Sequence, residues 1–340
     1  MTLDPNPNPL LLSVVIIGRN EGERLRRCLE SVSSMVRDNF DIEIIYADSG
    51  SSDDSVALAQ QMGAQAIALH PERPTAAIGR NAGWRAARGS IVLFLDGDTI
   101  LRPRFVVDSL PEFSNPEIAV VWGHRREIHP EQSLYNRVLD LDWVYRPGFT
   151  EYCGGDALFR RAALAQVDGF DETLIAGEEP DLCRRIAANG FSILHVDHPM
   201  TGHDLAITRW HQYWKRATRA GHAYAEVSER FRLKGQTFWV AESRGNRNRV
   251  LFLLALIFAA LAASALFATV VPVVLLLLFF VAIALRSAWK ARWKSNDPLA
   301  LILYGAHSHF QQFAIYVGQM QFLWNRRKGK RAMLMEYKQP

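Results

Sequence analysis

The residues with the most chemistry in them are acids. Asp96-Gly97-Asp98 closes the apolar run Ile91-Val92-Leu93-Phe94-Leu95. Two carboxylates separated by a glycine at the end of a buried strand can hold a hard divalent cation through oxygen. That cation would bridge a nucleotide's diphosphate and stabilise its charge as it leaves. Glycine lets the backbone turn tightly and keeps bulk away from phosphates. A solvated turn is the plainer reading of such a triplet, and the strand before it favours the metal. Asp48 also comes after an apolar run and opens a Ser/Gly-rich turn, where a carboxylate can accept hydrogen bonds from a base or ribose. Asp53 or Asp54 suits the cap of the next helix. In Ile78-Gly79-Arg80-Asn81-Ala82-Gly83, a guanidinium at a helix start either faces a base or phosphates or lies at the surface. Gly177-Glu178-Glu179-Pro180-Asp181 gathers acids at a helix N-terminus, where the helix dipole favours them. The functional alternative is that one of these carboxylates takes a proton from an acceptor hydroxyl.

Strands and helices must place these groups together. Apolar runs predict strands at Leu12–Ile17, Ile42–Ala47, Ala66–Leu69 and Ile91–Leu95. Helical spacing predicts helices over Glu23–Met35, Ser55–Met62 and Ile78–Arg88 between them. Strand–helix alternation with continuous apolar strands implies a mostly parallel sheet covered on both faces, an α/β fold. Ligands of such sheets bind outside the carboxyl ends of the strands, where Asp48 and Asp96 fall. After residue 115 the pattern mixes. Strands are expected at Ile118–Trp122, Ala157–Phe159 and Ser192–Val196, and helices at Glu131–Tyr145 and Pro180–Asn189. Thr208–Ser228 interleaves Trp, Tyr and basic residues, as a helix at a membrane surface does.

The net charge of +4 hides an asymmetry. Residues 1–204 carry a net of −11 and residues 205–340 a net of +15. The basic half contains Val250–Leu285, 36 residues without a charge. As one helix it would be about 54 Å long, against a hydrocarbon core of about 30 Å. Two helices hinged near Thr269–Pro272 fit better, and basic flanks at both ends put both ends on the cytosolic side. Pro298–Trp324 carries His307, His309, Gln311, Gln312, Gln319 and Gln321, a polarity that suggests an interfacial helix ahead of the basic Arg326–Arg331. Because the basic residues flank an apolar tract, anionic headgroups are the expected partner and nucleic acid is not. Cys28, Cys153 and Cys183 are odd in number and lack metal-ligand spacing, which fits a reducing compartment.

Taken in order, these pieces resemble family 2 glycosyltransferases, which have the GT-A fold. Ser13-Val14-Val15-Ile16-Ile17 with Asn20-Glu21 looks like the family's first strand and donor-base loop. Ala47-Asp48-Ser49-Gly50-Ser51-Ser52-Asp53 looks like its second loop, Gly79-Arg80-Asn81-Ala82-Gly83 like its Arg-Asn segment and Asp96-Gly97-Asp98 like its metal motif. Gly154-Gly155-Asp156-Ala157-Leu158-Phe159-Arg160-Arg161 and Val167-Asp168-Gly169-Phe170-Asp171-Glu172 resemble the acceptor side, and Gly177-Glu178-Glu179-Pro180-Asp181-Leu182 the catalytic-base motif. The resemblance covers roughly residues 12–225. It implies that Asn20, Glu21, Asp48 and Arg80 contact the donor and that Asp96 meets its sugar or ribose. It also implies that Asp98 ligates Mg2+ or Mn2+, with His203 completing the site, and that Gly155 and Asp156 line the acceptor side. In the family the base is usually the aspartate of a Glu-Asp pair. That position here is Glu179, one methylene longer, so Glu178 stays in play. Arg216 and Arg219 stand where membrane-bound relatives carry an Arg/Trp motif near the diphosphate. The tryptophan is missing, and lipid phosphate is the alternative ligand.

The resulting expectation is a GT-A fold, Rossmann-like, with a C-terminal helical membrane segment. Residues 1–10 form a disordered leader, 11–205 the catalytic domain, 206–249 an amphipathic helix and basic linker, 250–286 a transmembrane hairpin, and 287–340 an interfacial helix and basic tail. The implied activity is inverting transfer from a nucleotide-sugar donor to a lipid-linked or growing glycan at the cytosolic face of the inner (cytoplasmic) membrane. A noncatalytic nucleotide-sugar-binding scaffold would show a broken base or metal motif. A nucleotidyltransferase would show a Gly-rich loop with Arg and Lys after the first strand, which Gly18-Arg19-Asn20-Glu21-Gly22 is not.

Overall fold

A computed structural model describes residues 10–329. Of the leader expected at residues 1–10, residues 1–9 lie outside the described residues, as does the tail beyond residue 329, and Leu10 is the first residue of a strand. The chain divides into two compact units. The first runs to Ile128 and resumes over Val144–Asp204; the second combines His129–Trp143 with the chain from Leu205 onward.

The first unit is a nine-stranded sheet with helices. Its parallel half is β1 (Leu10–Gly18), β2 (Phe40–Asp48), β3 (Gln65–Ala68) and β4 (Ile91–Asp96), ordered β3-β2-β1-β4. Between them run α1 (Glu23–Ser33), α2 (Ser55–Gln61) and α3 (Ala76–Ala86). Strand β1 is buried from Leu12 to Ile17 because both of its faces are covered. Its register pairs Gly18 with Asp48 and Ile17 with Asp96, so both acids stand at the carboxyl edge on either side of β1. Helix α3 lies almost on β1. A Cβ on Gly83 would sit 2.1 Å from Val15 Cγ1, and one on Gly79 3.2 Å from Ile17 Cγ2. That close seating carries Arg80 to the edge of the sheet.

The mixed half is β5 (Thr99–Leu101), β6 (Ile118–Glu127), β7 (Gly148–Thr150), β8 (Ala157–Arg160) and β9 (Ser192–His203), continuing the order as β4-β8-β6-β9-β5 with β7 also on β9. Helices α4 (Phe105–Ser109), α6 (Arg161–Gln166) and α7 (Glu178–Ala188) belong here too. Two strands outrun the sequence reading. Strand β9 continues past Val196, through irregular pairing around Pro199, and resumes against β5 and β6. Proline within a strand is tolerated at such an irregularity. Strand β6 likewise runs on from Trp122 to Glu127. Helix α7 starts two residues earlier than expected, after Gly177 at φ 83°, with Pro180 in its first turn.

In the second unit the helix expected over Glu131–Tyr145 is shorter. Ser133 Oγ caps α5 (Leu134–Asp140) by accepting from the Asn136 amide at 2.9 Å, with 3-10 turns on either side. Helix α8 spans Trp210–Leu233, α9 Val240–Leu266, α10 Val271–Lys290 and α11 Pro298–Arg327. Helices α9 and α10 are long and apolar enough to cross a membrane, and most of their apolar side chains are exposed. Helix α11 turns some of its polar side chains toward other elements of the unit. His307 meets Tyr213 Oη at 2.8 Å and Asp142 at 3.3 Å, and Gln319 donates to the Ser243 carbonyl at 3.0 Å. These polar side chains join helices to one another inside the unit instead of facing water. Gly221 and Gly318 bring α8 and α11 together: a Cβ on either would fall 1.9 Å from a carbonyl of the other helix.

Candidate active site

The site is built at the carboxyl edge of the parallel half. Strand β4 delivers Asp96, and Gly97 turns the chain with its amide on the Ile17 carbonyl at 2.8 Å. A Cβ on Gly97 would press on that carbonyl and on Glu21 Cγ, both at 3.1 Å, so a small residue is needed there. Strand β5 comes at once and pairs Thr99 with His203 on β9, which swings His203 to Asp98. His203 Nε2 lies 3.4 Å from Asp98 Oδ1. One ligand atom from each of Asp96, Asp98 and His203 lies within 4.8 Å of the others. Two carboxylate oxygens and an imidazole nitrogen fit one divalent cation, and the carboxylates favour Mg2+ or Mn2+. The sequence reading gave Asp96 to the sugar or ribose; the geometry also puts it within this ligand set.

A second group centres on Arg80, which is 2% exposed. Its Nη2 donates to Asp96 at 2.9 Å, and its Nη1 lies 3.0 Å from Glu178 and 3.1 Å from Glu179. Phe170 packs under the guanidinium, 5.5 Å from ring centroid to Cζ. The sequence reading turned Arg80 toward the donor. In the structure it is enclosed by three carboxylates, because α3 seats it inside the sheet edge. Asn81 beside it fastens the next segment by donating to the Phe170 carbonyl and accepting from the Phe170 amide.

Glu179 is in the first turn of α7. Burial, with the negative charge of Glu178 beside it, pushes its carboxyl up to about 7 against the pull of Arg80. A carboxylate poised there can take a proton near neutrality. Gly155 is where the backbone itself reaches the cluster. A Cβ there would meet Arg80 Nη2 at 2.5 Å, Asp96 Oδ2 at 3.0 Å and Glu179 Oε1 at 3.3 Å.

Asp156 turns the other way. It is fully buried, accepts from the Asp96 amide at 3.1 Å and from Thr201 Oγ1 at 2.7 Å, and pairs with Arg125 at 2.9 Å. Burial raises its carboxyl and Arg125 opposes the rise. Its carboxylate is thus engaged with the Asp96 backbone, Thr201 and Arg125. Arg125, also 4.0 Å from Asp96, is the residue the sequence reading missed. Its signal was the His124-Arg125-Arg126 run just past the apolar stretch of β6.

Asp48 is spent within its own turn. It accepts from Tyr46 Oη at 2.9 Å, the Gly50 amide at 3.0 Å, the Ser51 amide at 2.7 Å and Ser51 Oγ. Asn20 ties that turn to β1, donating its amide to Ser51 Oγ at 2.8 Å and accepting from the Ser52 amide at 2.7 Å. Glu21 pairs with Arg24 at 2.9 Å. Asp53 accepts from the Ser55 amide at 3.1 Å at the start of α2. Arg216 and Arg219 belong to the second unit, on α8, with the Arg216 guanidinium 6.0 Å from the centroid of the Trp143 ring.

A family model described as Glycosyl transferase family 2 matches residues 13–167. The pre-mycofactocin glycosyltransferase of Mycobacterium tuberculosis H37Rv is 28% identical over 215 residues, covering 57% of this chain and 42% of that protein. Glycosyltransferase AglE of Haloferax volcanii is 27% identical over 191 residues, covering 54% and 63%. The chain thus spans less than two thirds of the length of these curated relatives. Among solved structures, the mannosyltransferase PcManGT of Pyrobaculum calidifontis, in complex with GDP-Man and Mn2+, superposes with a TM-score of 0.66. At 18% identity, over 95% of this chain and 89% of that one, it shares the GT-A-like fold.

Proposed function

We propose that the chain, whose residues 13–167 match the model described as Glycosyl transferase family 2, is a member of that family and transfers a sugar from a nucleoside-diphosphate sugar to an acceptor hydroxyl with inversion. One observation carries the reading: Glu179, held near neutrality, is joined through Arg80 to Asp96, one of three residues able to hold a cation. Glu179 takes the acceptor's proton as that oxygen bonds to the anomeric carbon. The bond from that carbon to the diphosphate breaks on the opposite face. Arg80 keeps Glu179 and Asp96 at fixed separation, so the base and the donor side are set by one rigid group. Arg125 and Asp156 brace Asp96 from below. Asn20, Glu21 and the turn shaped by Asp48 form the floor on which the nucleotide would lie.

Asp96, Asp98 and His203 would hold Mg2+ or Mn2+, which when bound neutralises charge on a leaving diphosphate. Arg216 and Arg219 are proposed to meet phosphate, on the donor or on a lipid. The spans α9 and α10, flanked by Arg244, Arg247, Arg249, Arg286 and Lys290, support a hairpin in the cytoplasmic membrane with the catalytic domain on the cytosolic side. That setting favours a lipid-linked or growing glycan acceptor. The intact base and metal motifs speak against a noncatalytic scaffold.

The test is release of nucleoside diphosphate by purified full-length protein with Mn2+ and a panel of nucleotide sugars. One donor should be turned over, faster with a polyprenyl-linked acceptor. No turnover of any donor, with nucleotide still bound, would establish the scaffold instead.

A further inference from the structure

We propose that Cys153 and Cys183 are an oxidation-sensitive thiol pair, and that their disulfide ties the Gly154–Gly155 segment to α7 and disables the site. Their sulfurs lie 3.6 Å apart, both cysteines are buried, and neither is in a disulfide. Closing that gap to a bond takes about 1.5 Å of movement.

The pair is placed where such a movement matters. Cys183 lies four residues after Glu179 on α7, hence on the same helix face. Cys153 lies two residues before Gly155, where a Cβ would fall 2.5 Å from Arg80 Nη2, 3.0 Å from Asp96 Oδ2 and 3.3 Å from Glu179 Oε1. A pull on Cys153 therefore acts on a segment that lies beside these three charged side chains. The third cysteine, Cys28, is on α1 with its thiol 3.7 Å from the Asp96 carbonyl oxygen, and serves as an internal control. Thiols in a reducing compartment form disulfides mainly as transient sensors.

With a peroxide as oxidant the chemistry balances. One thiol loses its proton and its sulfur attacks a peroxide oxygen, giving a sulfenic acid and hydroxide, which takes up that proton as water. The second thiol attacks the sulfenic sulfur, and the sulfenic oxygen leaves as a second water molecule. Two thiols are oxidised by two electrons and one peroxide is reduced to two waters.

The experiment treats full-length protein in detergent with hydrogen peroxide, quenches it, and maps peptides by mass spectrometry without reduction. A cross-linked Cys153–Cys183 peptide is expected, removed by dithiothreitol and still formed in Cys28→Ser. Nucleotide release should fall about 10²-fold on oxidation, as for a misplacement of about 1 Å, and recover on reduction. Cys153→Ala and Cys183→Ala should each keep their own rate through the same treatment, and either variant alone suffices if the other does not fold. A bond to Cys28, or sulfinic acids with no cross-link, would overturn the pairing. A complete cross-link with undiminished transfer would overturn the tie to the site. The peptide map requires no activity, so its result stands apart from the proposed reaction.

Discussion

Two turns flank β1 at the carboxyl edge of the sheet, one opened by Asp48 and one by Asp96. They are alike in residue, in position and in the apolar strand before them, yet their carboxylates are used in opposite ways. Asp48 accepts four hydrogen bonds from its own strand and turn, and is 1% exposed. Asp96 instead reaches across the sheet to Arg80 and toward Arg125, and its side chain is 28% exposed. The difference lies in the residues just after each acid. Gly50-Ser51 offers two amides and a hydroxyl to Asp48, whereas Gly97-Asp98 brings a second carboxylate, which repels the first and suits both to cations. A strand-end aspartate succeeded by serines thus shapes a loop; one succeeded by another aspartate builds a charged site.

The comparison breaks first at the Asp96 turn. Asp98→Ala should abolish transfer, and excess EDTA should mimic it. Titration calorimetry should show Mn2+ binding lost in the variant, and full activity in EDTA would remove the metal from the scheme. Next comes Glu179→Gln, expected to lower turnover by about 10²–10⁴-fold with nucleotide affinity nearly unchanged. Transfer and donor binding measured in parallel with Glu178→Gln decide which acid is the base, since a dead Glu178→Gln beside an active Glu179→Gln would reverse the assignment. A smaller effect is the pH limb. Glu179 acts as a base only when ionised, so the rate should fall below about pH 7 as it protonates. Glu178 raises the Glu179 carboxyl, so Glu178→Gln should move the limb to lower pH, and an unmoved limb would assign it to another group. Smallest in activity is the Asp48 turn. Asp48→Asn should cost about 1–3 kcal/mol of stability, read by denaturant unfolding, because buried donors lose an acceptor. It should change turnover less than any change at Asp98. A loss of transfer equal to that of Asp98→Ala, with stability intact, would make Asp48 a direct ligand and end the contrast.

Much of this was legible in the residues. Continuous apolar runs reveal β1, β2 and β4, and the acids that end them are visible as a pattern. His203 was also nameable, yet its reach to Asp98 depends on the three-residue strand β5 and on β9 running on past Pro199, neither of which has a local signature. Arg125 was hidden because the apolar run of β6 stops at Trp122 while the strand does not. Arg80 was seen, but its enclosure by Asp96, Glu178 and Glu179 was not. Only the long-range seating of α3 through Gly79 and Gly83 tells which way a helix-start arginine faces. Which acid of an adjacent pair is tuned near neutrality is equally a matter of tertiary packing and not of spacing.

The segment His129–Trp143 belongs to the second unit although it is translated in the middle of the first. Ser133 donates to the Ile207 carbonyl, and Asp142 waits for His307, 165 residues further on. At about 5–20 residues per second, the ribosome delivers that histidine on the order of 10–30 s after the aspartate. For that interval Asp142 is without its histidine, although Ser133 can already reach Ile207, 74 residues on. Vectorial synthesis therefore separates in time the two halves of a contact that the finished unit needs together.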